Sequence, residues 1–384
     1  MHGDKLSILI VAPTLSPRRG GGPAVTNHLA RALGSRGHKV TIYTSDLDLD
    51  LLEFPLGIKV YGFRSWLNLI TLRLTPGIIL TAGREIGGFD IIHMQGLRTF
   101  QNIVVYYYAR KHKIPYIVDA HGLNPLVGRR WLKKWLDISF GYRILKNATR
   151  VIAETELGVK EYSAVGVEPD RTVLLFPPIL TEEFANLPSA GLFKKELHAT
   201  DKRIVMFLGR IQKLKGLDFL VESFSKVAQR KNDTLLVIVG PDDGYKSHIE
   251  RMIENLGLSE KVLFTGYLGG EMKLSALVDA DLVVQPSIYE QGLPLACVEA
   301  LLCGTPIVVS RNTGAGEDVA KTDVGYSVEY GNEKELAEVM EKILDDPSEA
   351  RDKVRIGQEY IETKLSLTKK VSDYEELYTK CIGK

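Results

Sequence analysis

The sequence has little cysteine and no long apolar run, and each shortage narrows what the protein can be. Three cysteines in 384 residues, Cys297, Cys303 and Cys381, are an odd number without Cys-x-x-Cys spacing, which disfavours a disulfide framework or a structural zinc. No apolar run approaches the roughly twenty residues that cross a bilayer. Residues Met1 to Lys5 lead directly into a strand instead of a signal peptide, so a cytoplasmic protein is expected. No Gly-x-Gly-x-x-Gly follows a strand, which argues against a dinucleotide cofactor; no cofactor is expected. Asp46, Asp48 and Asp50 have a spacing that can share a hard cation. They lie after the second strand without further ligands and read as a solvated loop, so no metal site is assigned.

What is present is ordinary for a soluble α/β protein: 45% hydrophobic and 25% charged residues. A chain of this length divides most naturally into two domains, each with its own core. The formal charge of +1 hides an asymmetry, since residues 1–180 carry 23 Lys and Arg against 14 Asp and Glu while residues 181–384 carry 26 against 34. A basic first half suits an anionic membrane surface or lipid diphosphate; no nucleic-acid partner is expected.

In the first half, Leu6 to Val11 reads as a buried strand, Pro13 to Pro23 as a loop carrying Gly20, Gly21 and Gly22, Ala24 to Ser35 as a helix, and Val40 to Tyr43 as the next strand. Glycines between a strand and a helix allow the backbone to approach a phosphate or sugar closely. Two segments combine cations with tryptophan. The first is Arg64 to Leu80; the second is Arg129, Arg130, Trp131, Lys133, Lys134 and Trp135, where both tryptophans fall on one face of an expected helix. Basic amphipathic helices with Trp favour the headgroup region of anionic membranes, which makes a peripheral association at the inner face an expectation. Asp90 to His93 and Tyr116 to His121 read as strands ending in histidine, where a side chain can enter the ligand crevice.

Residues 181–202 read as a linker, and a second Rossmann-like domain is expected over 203–363. Its first strand, Arg203 to Leu208, is followed by Gly209, Arg210, Lys213 and Lys215, then by a helix. Paired cations beyond a strand end suit a diphosphate, with Arg gripping two oxygens and Lys acting as a point charge. Farther on, Asp281 to Gln285 reads as a buried strand, Gln291 and Gly292 as a turn, and Pro294 to Cys303 as a helix with Pro at its first position, stopped by Gly304. Glu290 and Glu299 flank that turn. The remaining 364–384 is expected to be helical, with a break near Leu365.

The run Glu299, Ala300, Gly304, Thr305 and Pro306, with Gly209-Arg210 and Lys215-Gly216 before it, resembles the signatures of glycosyltransferase family four, the glycosyl transferases group 1. That family has the GT-B architecture, two Rossmann-like domains facing across a cleft. Its glutamates are separated by seven residues. Counting back from Glu299 reaches Gln291, with Glu290 one residue earlier, so either can stand in the first position. The resemblance implies a retaining, metal-independent hexosyltransferase that moves a sugar from a nucleotide-sugar to a lipid-linked or glycan acceptor. It implies that Glu299 binds ribose hydroxyls, that Glu290 or Gln291 contacts the sugar, and that Arg210 and Lys215 stabilise the leaving diphosphate. Amides from Gly292 through Leu293 and Pro294 to Leu295 would hold sugar or phosphate, and Tyr267 and Leu268 would lie against the base. His121, Gly21 and Gly22 would complete the site from the first domain, to which the last helix returns. A sugar-nucleotide epimerase of the same architecture would need more acid/base groups at the sugar, and a non-catalytic nucleotide-sugar binder would dispense with a charged residue at 291.

Overall fold

The computed structural model describes residues 5–49, 54, 57–69, 72–123 and 134–383. The chain forms two compact units, Met1–Leu180 with Leu365–Lys384, and Thr181–Lys364.

The first unit is built on strands β1 (Ser7–Val11), β2 (Lys39–Ser45) and β3 (Ile58–Phe63), a small antiparallel hairpin β4 (Leu67–Leu69) and β5 (Leu72–Leu74), and then β6 (Ile91–Gln95), β7 (Tyr116–Asp119), β8 (Arg150–Ala153) and β9 (Thr172–Leu174). Apart from the hairpin these pair in parallel in the order β3-β2-β1-β6-β7-β8-β9. Parallel strands need crossovers, and these place helices on both faces, so the strands read as near-continuous apolar runs. Alternation divides them between two cores. Leu9, Val11, Ile92, Met94 and Val118 face helices Gly77–Glu85, Phe100–His112 and Tyr142–Asn147. Ile8, Ile10, Ile42, Ile91 and Ile117 face helix Gly21–Ser35 and the last helix, Leu367–Ile382, through Val371, Tyr374 and Tyr378.

The second unit repeats the plan with β10 (Arg203–Leu208), β11 (Thr234–Val239), β12 (Val262–Gly266), β13 (Leu282–Gln285), β14 (Ile307–Ser310) and β15 (Tyr326–Val328), in parallel order β12-β11-β10-β13-β14-β15. Both sheets have the doubly wound order in which a gap opens at the carboxyl ends of the central strands. In the first unit that point lies between β1 and β6, and in the second between β10 and β13.

Several expectations are corrected. The first helix begins at Gly21, not Ala24, so Gly21 and Gly22 form its opening turn instead of a loop. Gly20 at φ 99° marks its start, and Pro23 is tolerated there because the first N–H groups of a helix have no intrahelical acceptor. The stretch 181–202 is no plain linker. It holds the turn Thr181–Phe184 and the helix Leu192–Glu196, with Phe193 buried and the amides of Gly191 and Lys194 donating to the Asp279 carboxylate at 2.5 and 2.9 Å. The turn-to-helix segment after β13 runs one residue inside the expected bounds, as Leu295–Leu302. Arg129, Arg130, Trp131 and Lys133 lie outside the described residues.

The last helix closes one face of the first sheet, so its aromatic residues should be structural. All three tryptophans, Trp66, Trp131 and Trp135, belong to the first unit by position, and their fluorescence follows that unit alone. Tyr374→Ala should cost it about 3–5 kcal/mol, as for other buried aromatic side chains. A urea midpoint that does not fall would show that this helix is not part of the core.

Candidate active site

The loops beyond β10 and β13 meet at the switch point of the second sheet. After β10 the chain passes Gly209, whose amide donates to Val239 O at 2.9 Å, and Arg210, whose guanidinium meets Asp243 at 2.7 Å. It then forms the turn Lys213–Lys215 and enters helix Leu217–Arg230 through Gly216 at φ 68°. A Cβ at Gly216 would fall 1.9 Å from Pro286 O, so only glycine lets the two loops pack this closely. That approach brings Lys215 onto Glu290, whose carboxylate also accepts from Ser287 Oγ at 2.8 Å. Both partners keep about a fifth of their side-chain surface, so the pair is accessible.

Gln291 is placed differently. It is buried, its backbone lies against Gly314, where a Cβ would fall 1.8 Å from Gln291 O, and helix Gly314–Thr322 packs over it. Glu317 is then a charge in the first turn of that helix, paired with Lys321 at 2.7 Å. The amides of the turn offer less than expected. Leu293 N donates to Asp318 Oδ2 at 2.9 Å, Pro294 has no N–H, and Gly292 and the Leu293 side chain are buried.

Glu299 projects from helix Leu295–Leu302 and meets Lys273 Nζ at 2.8 Å. Burial works against the charge on Lys273, yet the adjacent Glu299 carboxylate outweighs it and holds the ammonium pKa above its usual value. Cys297 lies on this helix and Cys303 caps its end, and burial pushes both thiols up, Cys303 to about 12, so neither is a nucleophile. Tyr267 stands exposed after β12 and rests over Gly269, with Leu268 beside it.

In the first unit, His121 follows β7 in a left-handed conformation at φ 50°. Its Nδ1 lies 3.3 Å from Asp119 Oδ1 and 3.4 Å from Glu154 Oε1, and its Nε2 lies 2.7 Å from Gln95 Oε1. Gly22 is next to the ring, since a Cβ there would be 3.8 Å from Nε2. Burial alone would lower the His121 pKa, but the two carboxylates raise it to about 9, whereas burial lifts Asp119 to about 6. These three side chains each bring a polar atom within 4.8 Å of the others; the imidazolium itself supplies the positive charge that two close carboxylates demand. His93 is corrected: it sits inside β6, fully buried, hydrogen-bonded to the Tyr378 hydroxyl at 2.9 Å, and its pKa is driven down to about 3 by burial and by His121.

The sequence reading missed Lys273, Asp243, Ser287, Gln95, Asp119 and Glu154. A strand-end position marks Gln95, Asp119 and Glu154; nothing local marks the other three.

A histidine whose folded pKa lies above its unfolded value stabilises the fold below about pH 6.5, and that contribution is lost as pH rises through about 9. The melting temperature of the first unit should therefore fall between these limits. His121→Asn, which accepts the left-handed backbone but does not titrate, should flatten that slope; an unchanged slope would dismiss the ion pair.

Comparison with known proteins bears on the family and the fold. Residues 190–359 match the model for glycosyl transferases group 1, and residues 19–183 match that for glycosyltransferase family 4. The N-acetyl-alpha-D-glucosaminyl L-malate synthase of Bacillus anthracis is 24% identical over 383 residues, covering 96% of each chain. A GDP-mannose-dependent phosphatidylinositol monomannoside mannosyltransferase of Mycolicibacterium smegmatis is 26% identical over 355 residues, covering 89% of this chain and 90% of that one. The crystal structure of Anabaena HepE in complex with UDP-glucose superposes with a TM-score of 0.82 at 17% identity, covering 98% of this chain and 100% of that one, which bears on the fold alone. Two adjoining family models, a shared doubly wound plan and strand-end charges in the family's order converge: the chain belongs to glycosyltransferase family four, with the Rossmann-like domains of the GT-B architecture.

Proposed function

We propose that this glycosyltransferase moves a hexosyl group from a nucleoside diphosphate sugar to a lipid-linked or glycan acceptor, with retention at the anomeric carbon and without a metal. The observation that carries the donor reading is the Lys215–Glu290 pair beside Arg210 at the switch point of the second sheet. Breaking the sugar–phosphate bond leaves negative charge on the diphosphate. Arg210 and Lys215 are held where such charge would be met, a task that a divalent cation performs in other sites. Both cations rest on carboxylates, and the diphosphate would take them over.

The geometry favours Glu290 over Gln291 as the first-position residue. Glu290 keeps an accessible carboxylate next to Lys215, which can stabilise positive charge developing on the sugar, while Gln291 is buried beneath Gly314 and is an uncharged amide. Glu299 is suited to two vicinal ribose hydroxyls because a carboxylate offers two acceptor oxygens, and Lys273 occupies only one of them. Tyr267 and Leu268 are left to flank the base, and His121 with Gly22 is assigned to donor binding. The relatives include a mannosyltransferase of a phosphatidylinositol mannoside, which supports a lipid-linked acceptor.

A peripheral membrane position fits the first unit. Trp66 and Trp135 are 75% and 55% exposed, and Leu80, Tyr107 and Ile138 are also exposed. Arg64, Arg84, Arg110, Lys111, Lys134 and Arg143 are exposed in the same segments. The acids there are engaged, Glu85 with Tyr43, Tyr61 and Lys59, and Asp137 with Arg98 at 2.8 Å. No helix among the described residues is long and apolar enough to cross a membrane; the association proposed here is peripheral, at the inner face.

Thermal shift with UDP, GDP and ADP should identify the base, and Glu299→Ala should weaken nucleotide binding by about 1.5–3 kcal/mol. Arg210→Ala should lower kcat about 100-fold with labelled nucleotide-sugar and a membrane lipid extract, and proton NMR of the product should show the donor's anomeric configuration. Nucleotide binding that ignores Glu299→Ala would remove the ribose assignment. For the membrane, flotation with anionic vesicles should be lost in Trp66→Ser with Trp135→Ser and should weaken at high salt; binding to neutral vesicles alone would contradict the charge argument.

A further inference from the structure

We infer that Gln95 is a positioning residue for His121, the anchored middle of a hydrogen-bonded line that starts at Asp119 and Glu154, passes through His121, Gln95 and His93, and ends at the Tyr378 hydroxyl on the last helix. This rests on the reading that His121 faces the donor, and it adds the groups that decide how that ring is held.

With His121 carrying both ring protons, as its two neighbouring carboxylates favour, the line is satisfied in one polarity. His121 Nδ1 faces two carboxylates, which only accept when ionised, so Nδ1 carries a proton. His121 Nε2 lies 2.7 Å from the Gln95 oxygen, which also only accepts, so Nε2 carries one as well. The Gln95 amide nitrogen is 3.2 Å from His93 Nε2, which must therefore accept. His93 then holds its proton on Nδ1 and donates it to the Tyr378 oxygen at 2.9 Å. Rotating the Gln95 amide by half a turn would set its NH2 against the protonated Nε2 of His121, donor against donor. The positive charge on His121 thus selects the amide and ring orientation, since a neutral His121 would be satisfied with every donor and acceptor in the line reversed.

The surroundings oblige the line to persist. Gln95, His93 and Tyr378 are almost completely buried, so a group left without its partner would lose about 1–3 kcal/mol. Asn102 Nδ2 donates to the Gln95 carbonyl at 3.2 Å and fixes the backbone, while Tyr374 stacks on His93 at 5.9 Å. Among the described residues, the titratable groups on the elements packed around the ring are Asp119 from β7, Glu154 beyond β8, His93 from β6, and Tyr374 and Tyr378 from the last helix. The two tyrosines are held well above their usual pKa by burial and by Asp119, so they stay neutral. On the remaining side stands Gly22, with no side chain between it and His121. The ring is thus held at both nitrogens, and 31% of its side chain stays exposed.

The test is a pH titration of the full-length protein labelled with nitrogen-15 at histidine, with His121→Asn assigning the signals. In the native protein both His121 nitrogens should carry protons at pH 7, and His93 should show the Nδ1–H form throughout. Gln95→Leu should move the His121 midpoint down by about one pH unit, a tenfold change in proton affinity, and Tyr378→Phe should move it in the same direction by less. If neither variant moves the midpoint, Gln95 only fills space and the inference fails. A shift in Gln95→Leu alone would overturn the part of the line beyond His93. Should Gln95→Leu fail to fold, Tyr378→Phe decides alone. The underlying reading fails separately: unchanged turnover of the labelled nucleotide-sugar in His121→Asn would remove His121 from the donor site and leave the titration result standing.

Discussion

A parallel sheet whose crossovers leave the central strand in opposite directions cannot close the space beyond that strand's carboxyl end, and this constraint shapes both units. The helices that follow β10 and β13 lie on opposite faces of their sheet, as do those that follow β1 and β6. The gap admits water, so charged side chains can stand at its edge without the full cost of burial. Arg210, Lys215, Glu290, Gln95, His121 and Glu154 all occupy strand-end positions or the loops that follow. The apolar strands contribute no chemistry; they hold these ends in register.

In the second unit the charged groups are paired at rest. Lys215 lies on Glu290, Arg210 on Asp243 and Lys273 on Glu299. Pairs that retain contact with water are worth about 0–1 kcal/mol, so exchanging a carboxylate partner for a phosphate is inexpensive. Lys273 and Glu299 are about as enclosed as Lys215 and Glu290, and both are more enclosed than Arg210 and Asp243. The close approach at Gly216 and Gly314 makes these pairings possible, because a side chain at either position would force the loops apart.

The first unit solves a different problem. Two carboxylates and a histidine meet beside the glycine-opened helix, and the polar line behind them reaches a helix contributed by the last residues of the chain. A buried polar network is stable only when every member is satisfied. The last helix therefore has two tasks, covering Ile8, Ile10 and Ile117 and supplying the hydroxyl that ends the network.

Much of this was legible in the amino-acid order. Alternating apolar runs and helix patterns gave the doubly wound units, because hydrophobic periodicity is a local property. The motif from Glu299 to Pro306 and the cations at Arg210 and Lys215 identified the family for the same reason, since each signature lies within one strand-to-helix turn. Helix limits were less readable: the glycines and Pro23 that suggest a loop fit a first helical turn equally well, and only packing decides. What tertiary structure alone decided were partners distant in the chain. The sequence could place Glu290 and Gln291 at one turn, but the approach of Gly216 and Gly314 selected which one faces Lys215. It could mark two histidines at strand ends, but pairing across the sheet buried His93 against Tyr378 and left His121 between two carboxylates. Local order specifies which groups a strand end carries, whereas charge and hydrogen-bond satisfaction depend on what the fold brings within about 3 Å of them.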